Sequence, residues 1–511
     1  MDDLTALRAQ VWQRLVCGYT TYGAPPPAFR QALASGLGGV ILFRHNLQSG
    51  ATLLMPQAIL SLTQDVYTET LNATGTPPWI WVDQEGGPVE RFPCQVFPSL
   101  PSPWALGKRP ALLQQAQTLQ CEALRTYGIH SACTPCADVN TESTNPVIHV
   151  RAYGDTSSQV TQAVLAVMQS QLAHDILPIA KHFPGHGNST IDSHASRPVL
   201  PFEPEMLAPF KALIRAGCPA VMVAHAAYPE LNARYGEPET TPASLSKGVL
   251  QNMLRHELGF EGLIVTDDLH MGAVDTSIET ALQALTAGAD ILLYRQIDDA
   301  VLAVVEGLTQ ALAENAGLRA AHEKSLERIR QAKTRFALPP LLSAEPLQAP
   351  KISFWQTQAQ ALANALLKPV LGALPVRAEQ RPQVWLLPDR SKLHSYAPDL
   401  QLEALEVLLD QDPDVRVCCY DDASEAQVAE ALHALKPEAI IVAVTVLPKL
   451  GGSLPLWIER HGPAGWPSRC IWVSAGLPEA DLPPNLNAWL QPASWRPPVI
   501  QALAQMLLER V

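Results

Sequence analysis

Short, mostly apolar runs recur eight times through the first two thirds of the chain, with amphipathic stretches between them. They fall at residues 15–19, 38–43, 79–83, 130–135, 177–181, 220–225, 263–267 and 290–294. Each is short, and apolar rather than alternating, as a strand buried on both faces requires. The intervening stretches, such as 110–127 with Pro110 at the first helical position and 159–173, have helical periodicity. Strand and helix in alternation impose a parallel sheet. Eight such units predict an α/β fold, a (β/α)8 TIM-type barrel occupying residues 1–337.

The stretch 318–336 reads as a charged helix, and four prolines follow between Pro339 and Pro350. They mark a stiff linker over 338–352. Strand patterns then resume at 384–387, 415–420, 439–446 and 470–474, with helical stretches between. Residues 353–511 are therefore expected to form a smaller α/β (αβα) sandwich domain. No GxGxxG follows its first strand, which argues against a dinucleotide site.

Composition narrows the partners. The apolar fraction is 47%, ample for a large core, and the net charge of −13 is set against clustered phosphate contacts, so no nucleic-acid partner is expected. No stretch reaches the roughly 18 apolar residues of a membrane span. The start, MDDLTALRAQVWQRL, lacks the basic and apolar regions of a signal peptide. Nine cysteines without framework spacing suit a reducing compartment, and the expected location is the cytoplasm.

Polar residues cluster at the ends of the predicted strands: Arg44, Asp83, Asp138, Lys181 with His182, His225 and Asp267. In a barrel all of these positions face the C-terminal mouth, where such folds carry out chemistry. The most informative segment runs Lys181-His182-Phe183-Pro184-Gly185-His186-Gly187, with Asp192 and His194 downstream. His182 and His186 have the i, i+4 spacing of a zinc helix, but Pro184 and Gly185 between them oppose that helix. The alternative is a loop with an Asp192–His194 pair, in which a carboxylate fixes the imidazole tautomer for acid/base work. A surface pair without a role fits the spacing equally well. Asp267-Asp268 places two carboxylates at one strand end, one suited to nucleophilic attack and the other to a helix cap, unless both are caps. In Val82-Asp83-Gln84-Glu85-Gly86-Gly87, Asp83 is placed to accept sugar hydroxyls, with Arg91 within reach of the same pocket, unless this is an ordinary loop. Cys133 and Cys136 have CxxC spacing, but without a second pair they read as core thiols.

Taken together, these segments resemble glycoside hydrolase family 3, in its β-N-acetylhexosaminidase branch. The resemblance runs in order over roughly residues 10–335. It includes GGVILF at 38–43, VDQEGG at 82–87 with Arg91, Asp138-Val139-Asn140, Asn145 to Ile148 with Arg151, KHFPGHG at 181–187 with Asp192-Ser193-His194, Ala224-His225 and TDDL at 266–269. It implies Asp267 as the nucleophile that forms a covalent glycosyl-enzyme, and His194 as general acid/base assisted by Asp192. Asp83, Arg91, Arg151, Lys181 and His182 would bind the hydroxyls and N-acetyl group of GlcNAc. The implied activity is retaining double displacement on GlcNAc-containing muropeptides, with no metal or organic cofactor. Asp268 then reverts to a structural role. An imidazole base does not repel phosphate as a carboxylate does, so phosphorolysis stays open beside hydrolysis. A β-glucosidase of the same family and a non-catalytic sugar-binding barrel are further alternatives. The chain departs from the family pattern at Pro88, His149 and Ala152, where Arg, Gly and Ser are frequent.

Overall fold

The computed structural model describes residues 3–50, 52–143, 145–191, 197–340 and 349–366, together with five strands between residues 383 and 490. Seven strands form one parallel sheet among the described residues: β1 (Leu15–Cys17), β2 (Gly39–Leu42), β3 (Trp79–Val82), β4 (Ile179–Phe183), β5 (Ala220–Val223), β6 (Leu263–Asp268) and β7 (Ile291–Tyr294). Their order is β3-β2-β1-β7-β6-β5-β4, so the first strand pairs with the last, with Leu15 opposite Leu292. That pairing curls the sheet into a barrel-like α/β domain whose two edges are β3 and β4.

Between those edges lies the one predicted strand that does not form. Residues 130–137 make only isolated parallel bridges, Ser131 to Trp81 and Cys136 to Lys181. Cys133 adopts φ +50, a left-handed conformation that interrupts an extended chain, and Pro135 has no N–H to give to a ladder. The segment still reaches both edges: His130 N donates to Ile80 O at 2.7 Å, and Lys181 N to Pro135 O at 3.0 Å. The Ser131 hydroxyl supplements the backbone by donating to Leu177 O at 2.8 Å.

Side chains sort by the two-residue period of the strands. Ile41, Trp79, Trp81, Ile179, Leu263, Val265, Ile291 and Leu293 share the inner cluster. Their neighbours Val40, Leu42, Ile80, Val82, Ile264 and Leu292 pack outward against the helices. The helices start where the sequence supplies caps. Thr156 accepts from Gln159 N before Ser157–Ala173, Ser277 from Thr280 N before Ile278–Ala287, and Asp298 from Val301 N before Asp299–Glu314. The helix Ala316–Phe336 closes the far end of the barrel, where Ile329 and Phe336 join the inner cluster.

A helix, Ala349–Leu366, begins within the stretch expected to be linker. Its buried face is Trp355, Ala359, Leu362 and Ala363. Trp355 packs on Tyr127 with ring centroids 6.0 Å apart, and Lys351 Nζ donates to Thr126 Oγ1 at 2.9 Å. Farther along, β8 (Gln383–Pro388), β9 (Val415–Tyr420), β10 (Ile440–Thr445), β11 (Cys470–Ser474) and β12 (Ala488–Leu490) form a parallel sheet in the order β9-β8-β10-β11-β12. No helix among the described residues is long and apolar enough to cross a membrane.

Candidate active site

The inward period that buries Trp79 and Trp81 in β3 carries on to Asp83 and Glu85 just past the strand end. In β4 it runs from Ile179 to Lys181; in β6 the pairing with β7 slips by one residue between Val265 and Asp268, and Asp267 sits at that irregularity. Strand geometry therefore brings these charged groups to one mouth. Lys181 Nζ lies 2.9 Å from Asp83 Oδ1 and 2.8 Å from Glu85 Oε1. Arg151 grips Glu85 with two parallel bonds, Nε to Oε2 at 2.9 Å and Nη2 to Oε1 at 2.8 Å. Arg91 Nη2 stands 4.0 Å from Asp83 Oδ2. Asp83 keeps 21% of its side chain exposed, whereas Glu85 keeps 1%.

Charge balance holds this cluster ionised. Burial would raise the Glu85 carboxyl, but the charges and hydrogen bonds of Arg151 and Lys181 outweigh it and hold the group well below the usual carboxylate range. Burial likewise opposes the Lys181 ammonium, yet Asp83 and Glu85 push it above its ordinary value.

A second buried carboxylate organises the loop after β4. Asp138 accepts from His182 Nδ1 at 2.7 Å and from His186 N at 2.7 Å, and Cys136 Sγ lies 3.3 Å away. A carboxylate beside Nδ1 keeps that nitrogen protonated and leaves Nε2 as the other functional atom of His182. Burial raises the Asp138 carboxyl, but His182 and His186 override it and hold it low. The zinc-helix alternative finds no helix: His182 belongs to β4, and a turn begins at Pro184. Gly185 has φ +134, and a side chain on Gly187 would start 1.7 Å from Val139 O. Tyr228 donates its hydroxyl to Gly185 O at 2.5 Å.

The two aspartates at the end of β6 differ in their partners. Asp268 accepts from His270 N at 3.0 Å, Arg295 N at 3.1 Å and Arg295 Nε at 2.5 Å, which ties it to the neighbouring strand exit. Both of its carboxylate oxygens are therefore engaged by neighbouring groups. Asp267 lies at the register shift of β6, with Asp268 N donating to its Oδ1 at 2.8 Å. Its charge reaches His186 and His225, each of which burial pushes down, His186 to about 4. His225 Nε2 faces Asp268 O at 3.2 Å and so donates, leaving Nδ1 to accept from Ser244 Oγ at 2.7 Å.

Asp83, Arg91, Arg151 and Lys181 thus converge around one network, His182 belongs to the adjoining Asp138 network, and Asp267 lies near enough for its charge to act on His186. Asp192 and His194, the expected acid/base dyad, lie outside the described residues. Sequence reasoning assigns no role to Glu85 or Asp138. Glu85 is detectable as the next inward position after Asp83, and Asp138 only as a lone polar residue after a predicted strand. His149, at a position where glycine is frequent, has φ +43, a conformation that glycine adopts without strain and that histidine tolerates better than most residues.

Known proteins are similar to this chain in sequence and in fold. The model described as glycosyl hydrolase family 3 N terminal domain matches residues 28–332. Beta-hexosaminidase A of Pseudoalteromonas piscicida is 28% identical over 454 residues, covering 81% of this chain and 74% of that protein. A beta-hexosaminidase of Methylobacillus flagellatus is 34% identical over 282 residues, covering 52% of this chain and 75% of that protein. The solved structure of a glycoside hydrolase family 3 beta-N-acetylglucosaminidase from Paenibacillus sp. str. FPU-7 is similar with a TM-score of 0.81 at 25% identity, covering 99% of this chain and 97% of that one. The chain belongs to glycosyl hydrolase family 3.

Proposed function

We propose that this chain is a retaining exo-β-N-acetylglucosaminidase that releases GlcNAc from peptidoglycan-derived muropeptides. Asp267 attacks the anomeric carbon and forms a covalent glycosyl-enzyme. His194, held by Asp192, first protonates the leaving oxygen and then activates water to release the sugar. Asp83, Lys181, Arg151, His182 and Arg91 bind the sugar hydroxyls and the N-acetyl group. The observation that carries this reading is the convergence of Asp83, Lys181 and Arg151 at the mouth that also holds Asp267. The relatives named hexosaminidase direct the substrate choice toward N-acetylglucosaminides.

The proposed architecture is a (β/α)8 barrel over residues 1–337, a linker over 338–352 and an αβα sandwich over 353–511. The parallel sheet between residues 383 and 490 and the similarity across 99% of the chain support the second domain. The helix Ala349–Leu366 packs on the first domain through Trp355 and Tyr127. The proposed location is the cytoplasm, where imported wall fragments would be recycled.

The test is release of p-nitrophenol from its β-N-acetylglucosaminide and from the matching β-glucoside, each with and without phosphate. Turnover of the N-acetyl substrate alone, indifferent to phosphate, is expected. Phosphate activation with GlcNAc-1-phosphate as product replaces hydrolysis by phosphorolysis. Asp267→Asn should abolish the covalent intermediate, and full turnover by that variant removes the assignment.

A further inference from the structure

We infer that Glu85 is a positioning residue for sugar recognition, its buried carboxylate holding Lys181 and Arg151 in place so that their remaining donors serve the mouth. The inference rests on the reading of Lys181 and Arg151 as sugar ligands.

Glu85 does not itself meet the ligand. Its side chain is 1% exposed, and Arg151 Nε, Arg151 Nη2 and Lys181 Nζ occupy it at 2.9, 2.8 and 2.8 Å. The donor count shows what this leaves. Lys181 has three protons, of which Glu85 and Asp83 take two. Arg151 has five N–H bonds: Glu85 takes two, and Val147 O takes one at 3.2 Å. One ammonium proton and two guanidinium protons have no acceptor among the described residues, and their directions are set by the side-on grip of Glu85.

The cluster also needs Glu85 for its charge. Lys181 keeps only 3% of its side chain exposed and Arg151 13%, and Arg151 disfavours the Lys181 ammonium across the gap. Asp83 contacts Lys181 and is the more exposed of the two carboxylates, which leaves Glu85 as the anion common to both cations. Burying several charges is a weak route to stability. The arrangement makes physical sense when its cations act on something at the mouth.

The experiment uses the full chain and p-nitrophenyl β-N-acetylglucosaminide, with wild type, Glu85→Gln and Glu85→Asp followed from about pH 6 to 10, around the lysine range. GlcNAc binding is measured in parallel by calorimetry. For Glu85→Gln, KM should rise on the order of 100-fold with a smaller change in kcat. An alkaline limb should appear at lower pH in kcat/KM, because Lys181 has lost one of its two anions. Glu85→Asp keeps the charge and should retain the wild-type pH profile with KM raised about tenfold. A glutamine variant matching wild type in KM and pH profile overturns the inference, as does an aspartate variant no better than glutamine. Should Glu85→Gln fail to fold, Glu85→Asp decides alone: an unchanged KM overturns the inference. A wild-type protein that neither turns over the substrate nor binds GlcNAc overturns the sugar-site reading first, and the inference with it.

Discussion

Asp138 shows how much one buried carboxylate organises. It is fully buried, and it joins the irregular segment after residue 130 to both ends of the turn after β4. Asp138→Ala would leave the His186 N–H and the His182 Nδ1–H without their acceptor, and a loss of about 3–5 kcal/mol is expected from thermal or urea unfolding. The pH dependence comes from the same contacts. Asp138 and Glu85 are both held below their ordinary values in the folded chain. The stability they contribute is fully present above the unfolded carboxylate value of about 4 and is lost as pH falls through the depressed folded values. Acid unfolding of the wild type, followed by tryptophan fluorescence, should therefore begin below about pH 4. In Glu85→Gln the acid transition should be shallower, since one carboxylate no longer has to be protonated.

At the scale of elements, the turn after β4 and the helix that closes the barrel make opposite demands on their residues. Gly187 has no room for a methyl group, because a Cβ would meet Val139 O at 1.7 Å. Gly187→Ala must displace backbone and with it the His182–Asp138 pair. A loss of about 3 kcal/mol and a fall in activity larger than the fall in folded fraction are expected, checked by unfolding and turnover on one preparation. In the helix Ala316–Phe336, Lys333 is buried, with Nζ 3.0 Å from Gln13 Oε1 and 5.9 Å from the centre of the Trp79 ring. Burial pushes its ammonium down to about 7. The unfolded chain binds that proton up to about pH 10.4 and the folded chain only below about 7, so stability rises with pH across that window. Lys333→Met should raise Tm most below about pH 7, and the gain should shrink toward about pH 10. A gain that is equal at both ends would show that packing, and not charge, sets the cost.

For the whole molecule, the helix Ala349–Leu366 extends the buried surface of the barrel past residue 337. Trp355 is 1% exposed and belongs to the same cluster as Tyr127, Phe92 and Phe97. Trp355→Ala should cost about 3–5 kcal/mol, read as a lower Tm of the full chain, because it opens a cavity under that aromatic group. A loss within about 0.5 kcal/mol, the range of ordinary surface positions, would mean that this helix is only lightly attached.

The linear chain determined where seven of the eight strands expected in the first domain run. Periodicity is a local property, and it carries Trp79, Trp81 and Asp83 to one face. The failed strand at 130–135 also has local causes in Cys133 and Pro135, but a run of apolar residues concealed them. The linker expectation met a different limit. Prolines between 339 and 350 signal a break, yet nothing local shows that the helix beginning at Ala349 buries Trp355 against Tyr127. Only the tertiary structure decided that Glu85 lies between Lys181, 96 positions away, and Arg151, 66 positions away. The same holds for Asp138, 44 positions from its partner His182. The energy of a buried charge depends on which groups surround it in space, and that neighbourhood exists only once the sheet has curled on itself.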